Sequence, residues 1–175
     1  MEIQASAVTI RQARTQDVRA MVALMEPLIA RRILLGKDLV DLYAAVPEFL
    51  VAVDDNENVV GYGAVHVMWE QLGEVRTLGV SEEWLGKGIG HMLLDALQER
   101  ARALGLEQLF CLTFETTFFE RHGFSAVEEN ESLVAADVYA ELLRSTDEGI
   151  AEFLDLARVK PNTLGNTRMI KRLSA

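Results

Sequence analysis

Apolar positions along the chain switch between two periods, and the switches mark out the elements. Residues 8–13 (VTIRQA) alternate as a strand does, and Val18, Met21, Val22, Met25, Leu28 and Ile29 then recur at helical spacing. Thr15 stands at an N-cap position with Asp17 in the first turn, and Pro27 is expected to kink or split the helix. RRILLGK (31–37) reads as a connector and 38–46 as a short helix. EFLVAV (48–53) and VVGYGAVHVMW (59–69) read as strands joined by the turn-forming run 54–58, with a third strand over 73–80. A glycine-rich loop at 85–90 leads into a helix carrying Ile89, Met92, Leu93, Ala96, Leu97, Ala101 and Leu104 on one face, and Gly105 ends it. A strand over 107–114, a short helix over 116–122 and Gly123-Phe124 follow. An acidic loop (EENES), helices over 134–146 and 147–157, a loop over 160–166 and a strand over 167–173 complete the chain. This alternation predicts one α/β (α+β) sheet domain spanning 1–175.

Composition narrows the function. The 175 residues are 50% apolar and 25% charged, with 3 Pro, which excludes a disordered or low-complexity chain. A net charge of −10 disfavours general binding to nucleic acid, so an anionic ligand must be held by backbone amides or a few local cations. Cys111 is the only cysteine and the three histidines are scattered, so neither a disulfide nor a metal site is expected. No long apolar run or signal-like start is present, and the expected location is the cytoplasm, away from membranes.

Gly86, Gly88 and Gly90 alternate in LGKGIG between a strand and a helix, where amides of Leu85, Gly86, Lys87, Gly88, Ile89 and Gly90 can face a phosphate. The spacing fits neither the dinucleotide fingerprint nor the Walker loop. A plain flexible turn is the alternative.

EVRTLGVSEEWLGKGIGHMLLDAL resembles motif A of the GNAT N-acetyltransferase superfamily, and FFERHGF is similar to its later Y-E-K-x-G-F segment. Leu85 replaces the usual Gln or Arg, and Phe119 stands where many members carry a tyrosine that protonates the leaving thiolate. IRQARTQDVRAM, RRILLGKDLVDLY, EFLVAV, GEVRTLGV, LTFETTFFERHGF and VKPNTLGNTRM look like the short bacterial N-acetylglutamate synthases, in which a phenylalanine at that position is familiar. The resemblance implies acetyl-CoA as co-substrate and L-glutamate as acceptor, in the entry step of arginine synthesis. It implies a mixed central sheet flanked by helices, a bulged strand whose backbone at Leu78, Gly79 and Val80 holds the thioester, with Phe119 beside the channel, and a homodimer paired through sheet edges. Glutamine, a polyamine, an aminoglycoside or a protein amine remain alternative acceptors, and a non-catalytic acyl-CoA sensor remains an alternative function.

Acetyl transfer needs a neutral amine and a polarised carbonyl. Glu74 is the first candidate base, its position holding a carboxylate in the resembled synthases, and Glu115 is the second. A free Glu titrates near ~4.3, so a base needs burial or a bridging water. Alternation puts Arg76 on the face of Glu74, about 6.6 Å along the strand. Arg76 is therefore an ion-pair partner or a clamp for a substrate carboxylate. Two carboxylates call for two clamps, and Arg32 and Lys37 in the connector and Lys160, Asn162, Asn166 and Arg168 in the tail supply further candidates. Cys111 and Phe118 read as core, His66 as a sheet histidine, and His91 as a residue able to touch the cofactor.

Overall fold

A computed structural model describes residues 7–32, 36–128 and 131–174, together with the backbone but not the side chain of Asn162. Part of the expected connector (33–35) and part of the acidic loop (129–130) lie outside the described residues. Seven strands run in the order β1-β2-β3-β4-β5-β7-β6: β1 Thr9–Gln12, β2 Phe49–Val53, β3 Val59–Trp69, β4 Leu72–Val80, β5 Gln108–Thr113, β6 Ser125–Ala126 and β7 Thr167–Arg172. The sheet is mixed, because β4 and β5 are parallel while β2–β3, β5–β7 and β6–β7 are antiparallel. The helices are α1 Val18–Ala30, α2 Leu39–Ala45, α3 Ile89–Ala103, α4 Thr116–Glu120, α5 Ala136–Leu142, α6 Glu148–Phe153 and α7 Lys160–Thr163.

Three expectations need correction. Thr15 opens a 3-10 turn over Thr15–Asp17 rather than capping α1. Pro27 does not split α1; only one turn remains beyond it, closed by Arg31 N–H on Pro27 O at 3.2 Å, so little helix depends on the bond proline removes. The tail is not loop throughout 160–166, because Pro161 sits in the first turn of α7, where a missing N–H costs nothing.

The chain divides into two compact units, residues 1–65 with 75–100, and residues 66–74 with 101–175. In the first, Val18, Met21 and Met25 of α1 and Leu42 of α2 pack on Phe49, Val51 and Val53 of β2 and Tyr62 and Ala64 of β3. The opposite face of β3 takes α3. A Cβ on Gly61 would stand 2.9 Å from Leu93 Cδ1, and one on Gly63 2.9 Å from Leu97 Cδ1, so both glycines are set by helix approach. In the second unit, Met68, Leu72 and Phe110 pack with Leu142, Ile150 and Phe153.

Asp17 anchors the first unit. Its carboxylate accepts from Arg11 Nη1 at 2.8 Å and Nη2 at 2.9 Å, and from Arg14 N–H at 2.7 Å. The Arg11 hydrogen bond holds the buried carboxyl below its usual range. Asp17→Asn should cost about 1.5–3 kcal/mol of stability in urea unfolding at neutral pH. Because the folded value is the depressed one, this contribution is complete above the unfolded value of about 3.9 and is lost as pH falls through the folded one. An unchanged unfolding midpoint would refute it.

Candidate active site

In the first unit the site is built on the end of β4, the loop after it and the start of α3. The ladder between β4 and β5 covers Leu72, Gly73 and Glu74. Beyond it, Thr77 takes a left-handed backbone with φ 56°, an irregularity that a β-branched residue rarely adopts. The bend expected at Gly79 therefore has its left-handed residue at Thr77. Gly79 has a different reason to be glycine: its Cβ would fall 2.4 Å from Tyr62 Oη. Leu78 points to the other face, where its Cδ1 would lie 2.9 Å from a Cβ on Gly63. Val80 ends the strand.

Ser81 N–H returns to Val60 O at 2.8 Å, and a 3-10 turn over Glu82–Trp84 leads into the loop. Gly86 and Gly88 are both left-handed, φ 76° and 81°, with nothing within 4 Å of where a Cβ would stand. The amide of Leu85 is taken by Glu82 O at 3.3 Å, so not every amide of the loop is open to a ligand. Those of Gly86, Lys87, Gly88, Ile89 and Gly90 donate to no acceptor among the described residues. All five sit ahead of or within the first turn of a 15-residue helix, with a dipole that favours an anion. An open, glycine-walled row of donors fits the phosphates of a CoA-type ligand. Lys87 lies over the Trp84 ring with Nζ 4.6 Å from its centroid, which places a cation at the loop without a fixed hydrogen bond. His91 is half-buried in the first turn of α3 and makes an interaction of its own.

Basic candidates at the end of α1 are exposed. Arg32 has φ 58° in the turn that closes the helix, and Lys37 precedes α2. Arg31 is held by Glu82 at 2.6 Å. Arg76 is half-buried on β4 and engaged.

The second unit carries the carboxylates and the tail. Glu74, 4% exposed, lies on β4 opposite Phe110 and has a partner of its own. Burial, and then the nearby Glu74 carboxylate, push the Cys111 thiol well up, so Cys111 remains an unreactive thiol. Glu115 is exposed at the N-cap of α4, its own N–H donating to Thr113 Oγ1 at 2.8 Å. Phe119 is buried, edge-on to Phe118 at 5.2 Å and to Phe124 at 5.1 Å, so its ring is fixed by an aromatic stack. Lys160 pairs with Asp155 at 2.9 Å, and Asn166 N–H closes the turn onto Thr163 O at 3.0 Å. Arg168 Nε donates to Glu152 O at 3.1 Å and Nη2 to Phe153 O, so the guanidinium caps the end of α6. Burial lowers its pKa. The side chain of Asn162 lies outside the described residues.

One group went unnoticed in the sequence. Tyr62 Oη is buried with no hydrogen-bond partner among the described residues. Nothing in an alternating strand separates such a hydroxyl from a satisfied one. Among the described residues no three metal-binding side chains gather, and no helix is long and apolar enough to cross a membrane.

Residues 23–124 match the acetyltransferase (GNAT) family. An amino-acid acetyltransferase of Mycobacterium tuberculosis is 52% identical over 163 residues, 92% of each chain. Another from Neisseria meningitidis is 33% identical over 71% of this chain but only 29% of its own length. The crystal structure of Rv2747 from Mycobacterium tuberculosis, in complex with CoA, superposes with a TM-score of 0.89 at 50% identity over 95% of this chain and 99% of that one. An N-acetylglutamate synthase from Neisseria gonorrhoeae shares the fold, with a TM-score of 0.75 at 24% identity over 98% of this chain and 36% of that one. With the motif, the strand order and the amide-lined loop in agreement, the chain belongs to the GNAT acetyltransferase family.

Proposed function

We propose that this protein transfers the acetyl group of acetyl-CoA to the α-amine of L-glutamate, the entry step of arginine synthesis, with residues 1–175 acting as one transferase domain. The observation that carries the reading is the 52% identity, over 92% of both chains, to a protein named amino-acid acetyltransferase. The open amides of Gly86–Gly90 support CoA as the carrier. Acetyl-CoA supplies an activated acyl group, and the chain's own residues do the rest. The backbone of Leu78–Val80 orients and polarises the thioester, Glu74 takes the proton from the attacking amine, and Phe119 walls the channel. Arg76, with Arg32, Lys37, Lys160, Asn162, Asn166 and Arg168 as further candidates, holds the two carboxylates of the acceptor. The net charge of −10 argues against a nucleic acid, and it is the local basic candidates, not the acidic composition, that support a small anionic acceptor. Cytoplasmic location and a homodimer formed through the end strands β1 and β6 complete the proposal, and sedimentation would test the dimer.

The deciding experiment is CoA release across a panel of glutamate, glutamine, other amino acids, a polyamine and an aminoglycoside. Glutamate should give the highest kcat/KM; a higher value with glutamine or a cationic amine would overturn the acceptor. Arg76→Ala should raise the KM for glutamate about tenfold or more, as loss of a bidentate carboxylate clamp does, with little change in Tm. A fall in Tm without a KM change would instead make Arg76 a structural partner.

A further inference from the structure

Tyr62 lies in the middle of β3, opposite Val51, with its ring fully buried among the apolar side chains under α1 and α2. Its hydroxyl is the anomaly. Oη has no partner among the described residues, whereas a phenylalanine would fill the same space without stranding a polar group. The hydroxyl is also specifically placed. It reaches β4 at Gly79, where an added Cβ would stand 2.4 Å from Oη and 2.7 Å from Cζ. Glycine at 79 is thus the condition for the phenol to reach this strand, two residues after the left-handed turn at Thr77. The stranded hydroxyl and the glycine that admits it meet at one point on the backbone.

The geometry points to Tyr62 as a further catalytic residue, a hydroxyl donor to the acyl oxygen where the thioester lies along Gly79. This rests on the reading above that Leu78–Val80 holds the thioester. As the amine nitrogen forms its bond to the carbonyl carbon, the carbonyl π pair moves onto oxygen. A phenol O–H placed there strengthens its hydrogen bond to that oxygen and keeps its proton. When the C–S bond breaks, the pair on oxygen re-forms the carbonyl and sulfur leaves as thiolate. The proton lost by nitrogen goes to the base and returns to sulfur through solvent. Burial raises the pKa of this phenol, so it stays a donor across the working range. The other described tyrosines, Tyr43 and Tyr139, are exposed on α2 and α5 and serve as controls.

Tyr62→Phe tests the assignment. Its kcat should fall about tenfold, the lower end for losing a hydrogen bond to a charged acceptor, with the KM for acetyl-CoA little changed. Its Tm should be equal or higher, because the stranded hydroxyl is gone. Wild-type kcat in Tyr62→Phe, or a loss of activity explained by a lowered Tm, would overturn the role. A second measurement keeps the ring's shape: 3-fluorotyrosine incorporated in a Tyr43→Phe, Tyr139→Phe background makes Tyr62 a stronger acid. Because its phenol still carries its proton across the working range, the labelled enzyme should keep kcat at or above the unlabelled chain's, and a kcat as low as that of Tyr62→Phe would also overturn the role. The wild-type chain separates the two readings. An active wild type with an indifferent Tyr62→Phe sinks Tyr62 alone, whereas no CoA release with any amine sinks the transferase reading and this inference together.

Discussion

Glu74→Gln should lower kcat by ~10²–10⁴-fold, the range for loss of a general base. The amine of a free amino acid is largely protonated at neutral pH and attacks only when neutral, so the variant's deficit should shrink as pH rises. Glu74 is suited to the task by its place on β4, the strand that also carries Leu78–Val80, and by its burial. Glu115 lacks that shelter, since it is exposed at the start of α4. A folded Glu74→Gln enzyme with unchanged kcat and pH profile would move the role to Glu115. Phe119→Tyr should change the rate little. A thiolate leaves readily, with free thiols near pKa ~8.5, and the Phe119 ring is already locked between Phe118 and Phe124.

Gly88→Val should weaken acetyl-CoA binding by ~10²-fold or more while leaving the fold intact. At φ 81° a valine is strained by about 1–2 kcal/mol in an exposed loop, which the fold can absorb. Relieving that strain rotates the amides of Gly88 and Ile89 away from the diphosphate. Each charge-assisted bond lost costs about 1.5–3 kcal/mol, so two exceed a hundredfold. The empty space beside Gly88 means that the side chain itself meets no protein atom, so any loss arises at the ligand. Lys87→Ala should cost less, because Lys87 offers a point charge held over Trp84. Titration calorimetry with CoA checks both, and unchanged affinity in Gly88→Val would exclude the loop.

Elements whose chemistry is local were legible in the sequence. Gly105 ends α3 in left-handed backbone, as a helix-ending glycine does, and the turn glycines 86 and 88 take the same conformation. The run from Ile89 to Leu104 carries a single period, and α3 follows it to within a residue or two. Thr77 could not be foreseen, since its intrinsic preference opposes the conformation it holds. The turn at Lys160–Thr163 was hidden because Pro161 reads as a breaker in the middle of a segment and as a starter only at its first turn. The two-residue β6 exists only through its register with Ile170 and Met169, a fact of tertiary structure. The same holds for the site. The glycine-rich turn before α3 could be read from its spacing, whereas the occupation of Arg168 by the carbonyls of Glu152 and Phe153, and the stranded hydroxyl of Tyr62, depend on what folds beside them.

The left-handed residue at Thr77 also makes the strand's phase a heritable property of its length. Side chains on a strand alternate, so removing one residue from β4 inverts every position beyond the cut. Val80 would take the place of Gly79 and be driven at the Tyr62 ring, and Gly79 would leave a hole where Leu78 had been. A deletion at 77 should therefore be far more damaging than any substitution there, including one to glycine, which relieves the strain. Changing the number of residues between Glu74 and the glycine loop should therefore cost the fold more than changing their identities.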